Sequence, residues 1–395
     1  MKSQTTVLFC TNGLTALAFA LILPVMSLYL VNGLHVEPGL IGVYTVITSG
    51  MTVLFSQKIT GLIDKGVSAK RLVIFSLLGI VGASAGFALS KNFWHVLIVG
   101  CLIMPLASSS IPVILTIIRR YADSTGKSST KLNSQMRSSV SLLWVVGPPI
   151  AFFSVDRLGF RSNFYLSAVV ALAVIGLVAL QLKEPKAPDI DPLDKDKKLA
   201  PPLPREVWFL GAIMMLANMA NSTYVGSMPL FLTRNMGLST AYPGILLGMT
   251  AAVEIPVMLL AASWSQRYGK LPMMRLGYVF GMLFYVGMYF TDHLAVCIAL
   301  QLLNGLFFGI FVGLGVTIVQ DYAPKTIGKA SAFYTNSMLL GTMLGTSAMG
   351  VIAQYFGFKA PLFLSLFMLF LSMLGLWFFE KKVEHRRPTF AERHG

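Results

Sequence analysis

Charge is what this 395-residue chain has least of. Only 12% of it is Asp, Glu, Lys or Arg, against 55% apolar residues, and its mean hydropathy is +0.72. Soluble domains carry about twice that share of charge. A water-exposed globular surface is therefore excluded for most of the chain, and a polytopic membrane protein is expected. Cysteine is scarce as well. Cys10, Cys101 and Cys297 stand in apolar surroundings without paired spacing, which excludes a disulfide framework and reads as three small buried hydrophobes. All five histidines (His35, His95, His293, His385 and His394) fall in loops or the tail. With no HExxH, no CxxC and no phosphate-cradling glycine loop, the chain implies neither an enzyme nor an ATP-driven pump, and no metal or cofactor.

Apolar runs fill the space that charge leaves. Twelve segments are long enough to span a bilayer, near 6–32, 39–62, 71–90, 93–121, 133–155, 161–182, 206–233, 239–265, 271–291, 294–321, 329–356 and 360–380. The first follows a Met-Lys start, exceeds a signal-peptide core and has no clear cleavage site after it, so it reads as a span. With the N-terminus in the cytoplasm, alternation places 25 of the 31 Lys and Arg residues on the cytoplasmic side. The far side receives Lys91, Arg157, Arg161, Arg234 and Lys359, and Arg137 lies within a span. So one-sided a split predicts cytoplasmic N- and C-termini. It also accounts for the net charge of +15 without nucleic acid.

Residues 184–205 are rich in Pro, Asp and Lys without apolar periodicity and read as a cytoplasmic linker. The expected domains are a six-helix bundle over 1–183, the linker, a second bundle over 206–382 and a cytoplasmic tail over 383–395. The two bundles echo each other at an offset of about 202 residues. Leu28-Tyr29-Leu30 returns as Leu230-Phe231-Leu232, Pro38-Gly39 as Pro243-Gly244, and Tyr121-Ala122 as Tyr322-Ala323. The fold class expected is an all-α membrane protein of twelve transmembrane helices in two pseudo-symmetric six-helix bundles, an architecture of transporters with a midplane site. Glycines recurring every fourth residue (Gly82 and Gly86; Gly305, Gly309 and Gly313; Gly341 and Gly345) predict close helix contacts.

Polar residues inside the spans are the candidates for function. Of the sixteen carboxylates, Glu254 alone lies deep in a span. An acid in apolar surroundings is poised to gain and lose a proton near neutral pH, and intramembrane ionisable groups mark ion or substrate paths. Arg137 is a candidate partner. Asn12, Asn218, Asn221, Tyr224, Gln301, Asn304 and Asn336 could meet a hydroxyl-rich ligand, because amides both donate and accept. Tyr44 and Trp144 could supply flat apolar faces. For any single amide, interhelical hydrogen bonding explains the residue equally well. Asp64, with Lys65 and Arg71 nearby, could cap the next helix or hold an inner gate. Gly147, Pro148 and Pro149 interrupt the fifth span, where missing backbone donors are tolerated only if neighbouring helices re-satisfy the freed carbonyls.

These segments resemble the major facilitator superfamily over nearly the whole chain. The turn Asp64-Lys65-Gly66…Lys70-Arg71 is similar to the family's loop between its second and third helices, and Gly147-Pro148-Pro149 to its exporter motif. Met136-Arg137, Ser141-Leu142, Trp144-Val145, Asn221 with Tyr224, Met228-Pro229-Leu230, Glu254-Ile255-Pro256, Gln301, Asn304, Gln320-Asp321 and Thr335-Asn336-Ser337 look like the bacterial sugar efflux transporters of that superfamily. The resemblance implies export of sugars or glycosides across a bacterial inner membrane, coupled to a proton gradient by antiport with alternating access. It also implies that spans 1, 4, 7 and 10 line the cavity while 2, 5, 8 and 11 slide. Gln266 departs from the pattern, standing where the second half's loop would carry an acid, as does Val67-Ser68-Ala69 before the basic pair. A monomer in contact with membrane lipids is expected. An exporter of amphipathic drugs and a non-transporting sugar sensor are the alternatives.

Overall fold

The computed structural model describes residues 4–64, 66–126, 129–184, 202–324 and 326–384, and among these every regular element is helical. We label the rods in chain order. α1 begins as Gln4–Ile22 and runs on through a 3-10 turn, Leu23–Val25, and a π turn, Tyr29–Gly33. α2 is Gly39–Asp64 and α3 is Ala69–Leu89. α4 starts at Phe93 and is offset at Ile103 and Ser109, close to Pro105 and Pro112, before ending at Thr125. Ser129–Gln181 is continuous in hydrogen bonding, but Gly159 breaks it with φ 82° and ψ 168°, a conformation that only glycine adopts readily. We treat residues 129–158 as α5 and 160–181 as α6. α7 is Arg205–Leu230, closed by a π turn, Phe231–Asn235. α8 is Tyr242–Tyr268, α9 Lys270–Phe290, α10 Leu294–Asp321, α11 Ile327–Phe356 and α12 Ala360–Glu384.

Nine stretches of the described chain are long and apolar enough to cross a bilayer, one of them covering both α5 and α6. Of the other two rods, α2 is apolar only over Gly39–Phe55, and α7 is diluted by Asn218, Asn221 and Ser222. The outer faces are as apolar as the interior, with Leu180 86% and Phe290 79% exposed. Such faces are stable against lipid and not against water.

The rods form two compact units. The first contains the described residues within Met1–Asp196 together with Met228–Gly248, and the second contains those within Lys197–Ser227 together with Met249–Gly395. α7 and α8 thus contribute to both.

In the first unit α1 is stapled to its neighbours by side chains that reach main-chain carbonyls. Asn163 and Ser167 of α6 donate to the Leu21 and Ala18 carbonyls at 2.7 and 2.9 Å. Asn12 donates to the Met136 carbonyl of α5 at 2.8 Å. The second unit makes the same kind of bonds between the corresponding helices, at nearby but not identical positions. Ser365 and Ser372 of α12 donate to the Ala220 and Ile213 carbonyls of α7, at 2.9 and 2.8 Å. Asn218 donates to the Met338 carbonyl of α11 at 2.6 Å. The internal repeat read from short motifs is therefore a repeat of hydrogen bonds as well.

Glu184 closes the first unit at one end. Its carboxylate accepts from Ser68 Oγ at 2.5 Å and from the Ala69 N–H at 2.6 Å. Lys70 Nζ in return reaches the Ala179 and Leu182 carbonyls. An acid thus caps the positive end of α3 and a base caps the negative end of α6, the pairing that the helix dipoles favour. In sequence Glu184 reads only as the first residue of the linker; in the structure it fixes the α2–α3 turn. The second unit uses ion pairs at comparable places, Arg275 with Glu380 at 3.1 Å and Lys270 with Asp321 at 2.6 Å.

Backbones meet closely at glycine. A Cβ at Gly341 or Gly345 of α11 would lie 2.5 Å from the Met215 or Met219 carbonyl oxygen of α7. Gly345→Ala is expected to destabilise the protein by about 1–3 kcal/mol through forced backbone separation. Gly176→Ala, where a Cβ meets nothing within 4 Å, should be neutral or stabilise by up to about 1 kcal/mol from helix propensity. Unfolding of the two variants in detergent checks the contrast; equal effects would show that the glycine contacts do not carry the packing.

Candidate functional site

Three helices of the second unit bring polar groups to one buried point. Gln301 of α10 lies at its centre. Its Oε1 accepts from Thr250 Oγ1 of α8 at 2.8 Å, from Tyr224 OH of α7 at 3.2 Å and from Asn304 Nδ2 at 3.5 Å. Its Nε2 donates to the Cys297 carbonyl at 2.8 Å. Asn304 Nδ2 also donates to Thr250 Oγ1 at 3.2 Å, while among the described residues Asn304 Oδ1 is buried without a hydrogen-bond donor. Gln301 and Tyr224 have no exposed surface. Sequence reasoning placed Gln301 and Asn304 one turn apart on α10 and Tyr224 on α7, and the structure joins all three. It missed Thr250, which binds them to α8. The available signal was its place one helical turn before Glu254.

Glu254 is half-buried on α8. Among the described residues its carboxyl receives no hydrogen bond and no ion pair. Its helix is pressed against α10: a Cβ at Gly309 would lie 2.8 Å from the Glu254 carbonyl oxygen, and one at Gly305 would meet Val253 at 2.5 Å. Pro256, two residues on, lacks the N–H that would bond the Ala252 carbonyl. The acid therefore sits on a backbone held tightly by glycines on one side and loosened by proline just beyond.

The Gly-Pro-Pro break of α5 belongs to the first unit. A Cβ at Gly147 would meet Ala20 of α1 at 2.5 Å, so Gly147 marks a close α1–α5 contact. Pro149 packs against Gly244 and Gly248 at the start of α8, where added Cβ atoms would lie 2.9 and 2.7 Å from it. Proline at 148 and 149 frees the carbonyls of Trp144 and Val145, and the Val145 carbonyl faces Gly248. A rigid ring thus packs on bare backbone between α5 and α8, with the Phe152 Cβ also 2.9 Å from the Cβ position of Gly244.

The remaining candidates are distributed more widely. Asn12 is buried and also reaches Ser139 Oγ at 3.2 Å. Asn218 is buried and reaches Thr342 Oγ1 at 2.9 Å. Asn221 is half-buried and Asn336 exposed. Trp144 is half-buried. Tyr44 is buried against Gly100 of α4. The Arg71 N–H is capped by Ser68 Oγ at 3.3 Å. The side chains of Arg137 and Asp64, and all of Lys65, lie outside the described residues.

A second polar set, not foreseen from sequence, lies where α1 and α7 end. Arg234 Nε donates to Asn32 Oδ1 at 2.6 Å and its Nη2 to the Val31 carbonyl at 3.3 Å. Asp156, near the end of α5, accepts from Ser239 and Thr240, ahead of α8, at 2.5 and 2.7 Å. These bonds fasten Met228–Gly248 into the first unit.

Stapled rods in a repeated pattern, apolar outer faces and, among the described residues, an acid in an apolar span without a hydrogen bond are the features of a helical membrane protein. Comparison with known proteins agrees. The family model for the Major Facilitator Superfamily matches residues 8–298 and 207–394. "Sugar efflux transporter B" of Salmonella typhimurium strain LT2 is 33% identical over 92% of both chains. "Sugar efflux transporter C" of Escherichia coli strain K12 is 31% identical over 92% of this chain and 93% of its own. The solved structure of the nucleoside transporter NupG superposes with a TM-score of 0.76 at 14% identity, covering 96% of this chain and 99% of that one, and so supports the fold. The chain belongs to the Major Facilitator Superfamily, in the branch that holds the sugar efflux transporters.

The Gln301 network yields a graded expectation. Gln301→Leu orphans several buried donors at once and is expected to cost about 1–3 kcal/mol. Tyr224→Phe removes a single bond to Gln301 and should cost about 0.6 kcal/mol. Asn336→Ala, on an exposed face, should change stability by less than about 0.5 kcal/mol. Denaturation of the three purified variants tests the order; a Tyr224→Phe loss as large as that of Gln301→Leu would place the centre of the network elsewhere.

Proposed function

We propose that the protein is a secondary active transporter that exports sugars or glycosides across a bacterial inner membrane by proton antiport with alternating access. The observation that carries the reading is likeness, over some nine-tenths of the chain, to proteins named sugar efflux transporters. The proposed topology has cytoplasmic termini, bundles over 1–183 and 206–382 joined by the linker at 184–205, and a cytoplasmic tail over 383–395. The proposed state is a monomer in lipid.

In this reading Glu254 carries the proton. A carboxyl in low dielectric binds a proton when nothing else neutralises it, and none of the described groups bonds to Glu254. Thr250, one turn away, ties this stretch of α8 to Gln301, Asn304 and Tyr224. A change of charge at Glu254 is thereby felt at a cluster of amides and hydroxyls suited to a hydroxyl-rich ligand. The buried Asn304 Oδ1 is an acceptor with capacity to spare. In the second unit Asn218, Asn221 and Asn336 are further proposed sugar contacts; in the first, Asn12, Tyr44 and Trp144 are proposed sugar contacts and Arg137 a proposed proton-path residue. Gly147, Pro148 and Pro149 give α5 a surface that slides on α8, and Asp64, Lys65 and Arg71 form the proposed cytoplasmic gate.

Purified protein in liposomes with an imposed pH gradient should accumulate radiolabelled lactose or a thiogalactoside on the acidic side, and a protonophore should abolish the accumulation. Glu254→Gln should lose gradient-driven accumulation and keep sugar exchange at zero gradient. Full pH-driven accumulation in that variant would remove Glu254 from the mechanism. Displacement of labelled sugar by lipophilic cations in preference to glycosides would favour drug export instead.

A further inference from the structure

The two halves of the chain carry the same turn with different charges. In the second unit, Gly357-Phe358-Lys359 joins α11 to α12, with Gly357 at φ 80° and ψ 169°. In the first unit, Gly159-Phe160-Arg161 joins α5 to α6, with Gly159 at φ 82° and ψ 168°. The facing turns also correspond. Thr291-Asp292-His293 follows α9 and Ser90-Lys91-Asn92 follows α3, and both turns leave their helix through an extended residue, Thr291 or Ser90. In the second unit Lys359 Nζ pairs with Asp292 at 2.8 Å. The repeat therefore sets Lys91 where Asp292 would neutralise Arg161. One ion pair has become two cations.

Those two cations line a single cavity of about 440 Å³. Its walls are Tyr29, Gly33 and Leu34 of α1, residues 88–91 after α3, and residues 158–161 of the α5–α6 turn, with no carboxylate among them. Tyr29 OH is already committed to the Phe87 carbonyl at 2.7 Å. Among the described residues neither Lys91 nor Arg161 has an acidic partner. The negative end of α3 favours one nearby cation; it does not neutralise two. Leu89 and Leu158 at the rim are 59% and 69% exposed. Exposed leucines beside basic groups suit a membrane boundary, where acyl chain gives way to headgroup.

We propose that this cavity binds the phosphate headgroup of an anionic phospholipid. Lys91 and Arg161 contact the phosphate oxygens, and the acyl chains run along Leu89 and Leu158. Guanidinium and ammonium groups together suit phosphate, and the lipid supplies the negative charge that Asp292 supplies in the other half. The site is independent of the transported substrate.

The test is native mass spectrometry of detergent-purified protein with added phosphatidylglycerol or phosphatidylcholine, together with the thermal shift that each lipid produces. The wild type should retain phosphatidylglycerol in preference to phosphatidylcholine. Arg161→Gln should bind it about tenfold more weakly, as expected for loss of a charge-assisted contact worth about one power of ten. Lys91→Asp rebuilds the ion pair of the second unit; it should fold normally and lose both the bound lipid and its thermal shift. Lys359→Gln should leave lipid retention unchanged. Equal retention of the two lipids, or full retention by Lys91→Asp, would overturn the proposal. Displacement of the lipid by millimolar inorganic phosphate that alone reproduces the shift would overturn the lipid in favour of a soluble phosphate ligand.

Discussion

Helices in hydrocarbon gain nothing by expelling water from between them, because lipid tails are as apolar as the side chains they replace. What remains is backbone approach at small residues and hydrogen bonds that end on carbonyls. The rest of this structure depends on both. Gly341 and Gly345 bring α11 onto the carbonyls of α7, and Gly305 and Gly309 bring α10 onto α8. Where helices do not meet at glycine, single polar side chains bridge them, as Asn163 and Ser167 do to α1 and Ser365 and Ser372 do to α7. A helical carbonyl has a second lone pair, so each staple adds a bond without breaking one.

The same constraint explains where proline is allowed. Pro148 and Pro149 would break a helix in water. Here the freed Val145 carbonyl turns to the bare backbone at Gly248, and the ring of Pro149 fills the space that a Cβ at Gly244 or Gly248 would take. A contact built largely of a proline ring on two glycines interlocks fewer side chains than knobs in holes would. Elsewhere the same chain uses polar bonds to resist movement, as at Arg234 with Asn32 and Asp156 with Ser239 and Thr240.

Much of the scaffold was legible in sequence because lipid imposes a simple code. Long apolar runs become rods, glycines at four-residue spacing become contacts, and short motifs repeated at a fixed offset become repeated geometry. The partners of polar groups were less legible. Asn12 and Asn218 could equally have faced a ligand or a carbonyl, and composition does not distinguish the two; the deciding fact is which residue stands opposite, more than a hundred positions away. Thr250 was overlooked because threonine in a helix most often bonds its own backbone, as Thr15 and Thr48 do here. Glu184 was overlooked because its partners, Ser68 and Ala69, are distant in sequence and its own neighbours look like linker.

The repeat also shows where symmetry ends. The scaffold is duplicated in its helix-to-helix staples and in the φ and ψ of its α5–α6 and α11–α12 turns, yet several ionisable groups differ. α8 carries Glu254, whereas the corresponding part of α2 reads Ser49-Gly50-Met51-Thr52, with no acid. The α9–α10 turn carries Asp292, whereas the α3–α4 turn carries Lys91. A duplicated fold makes two similar frames for the cost of specifying one, and each frame is stable without the charges. Charges are then free to differ between the halves. Glu254, one helical turn from the Thr250 hydroxyl that bonds Gln301, therefore belongs to one frame and has no acidic counterpart in the corresponding stretch of the other.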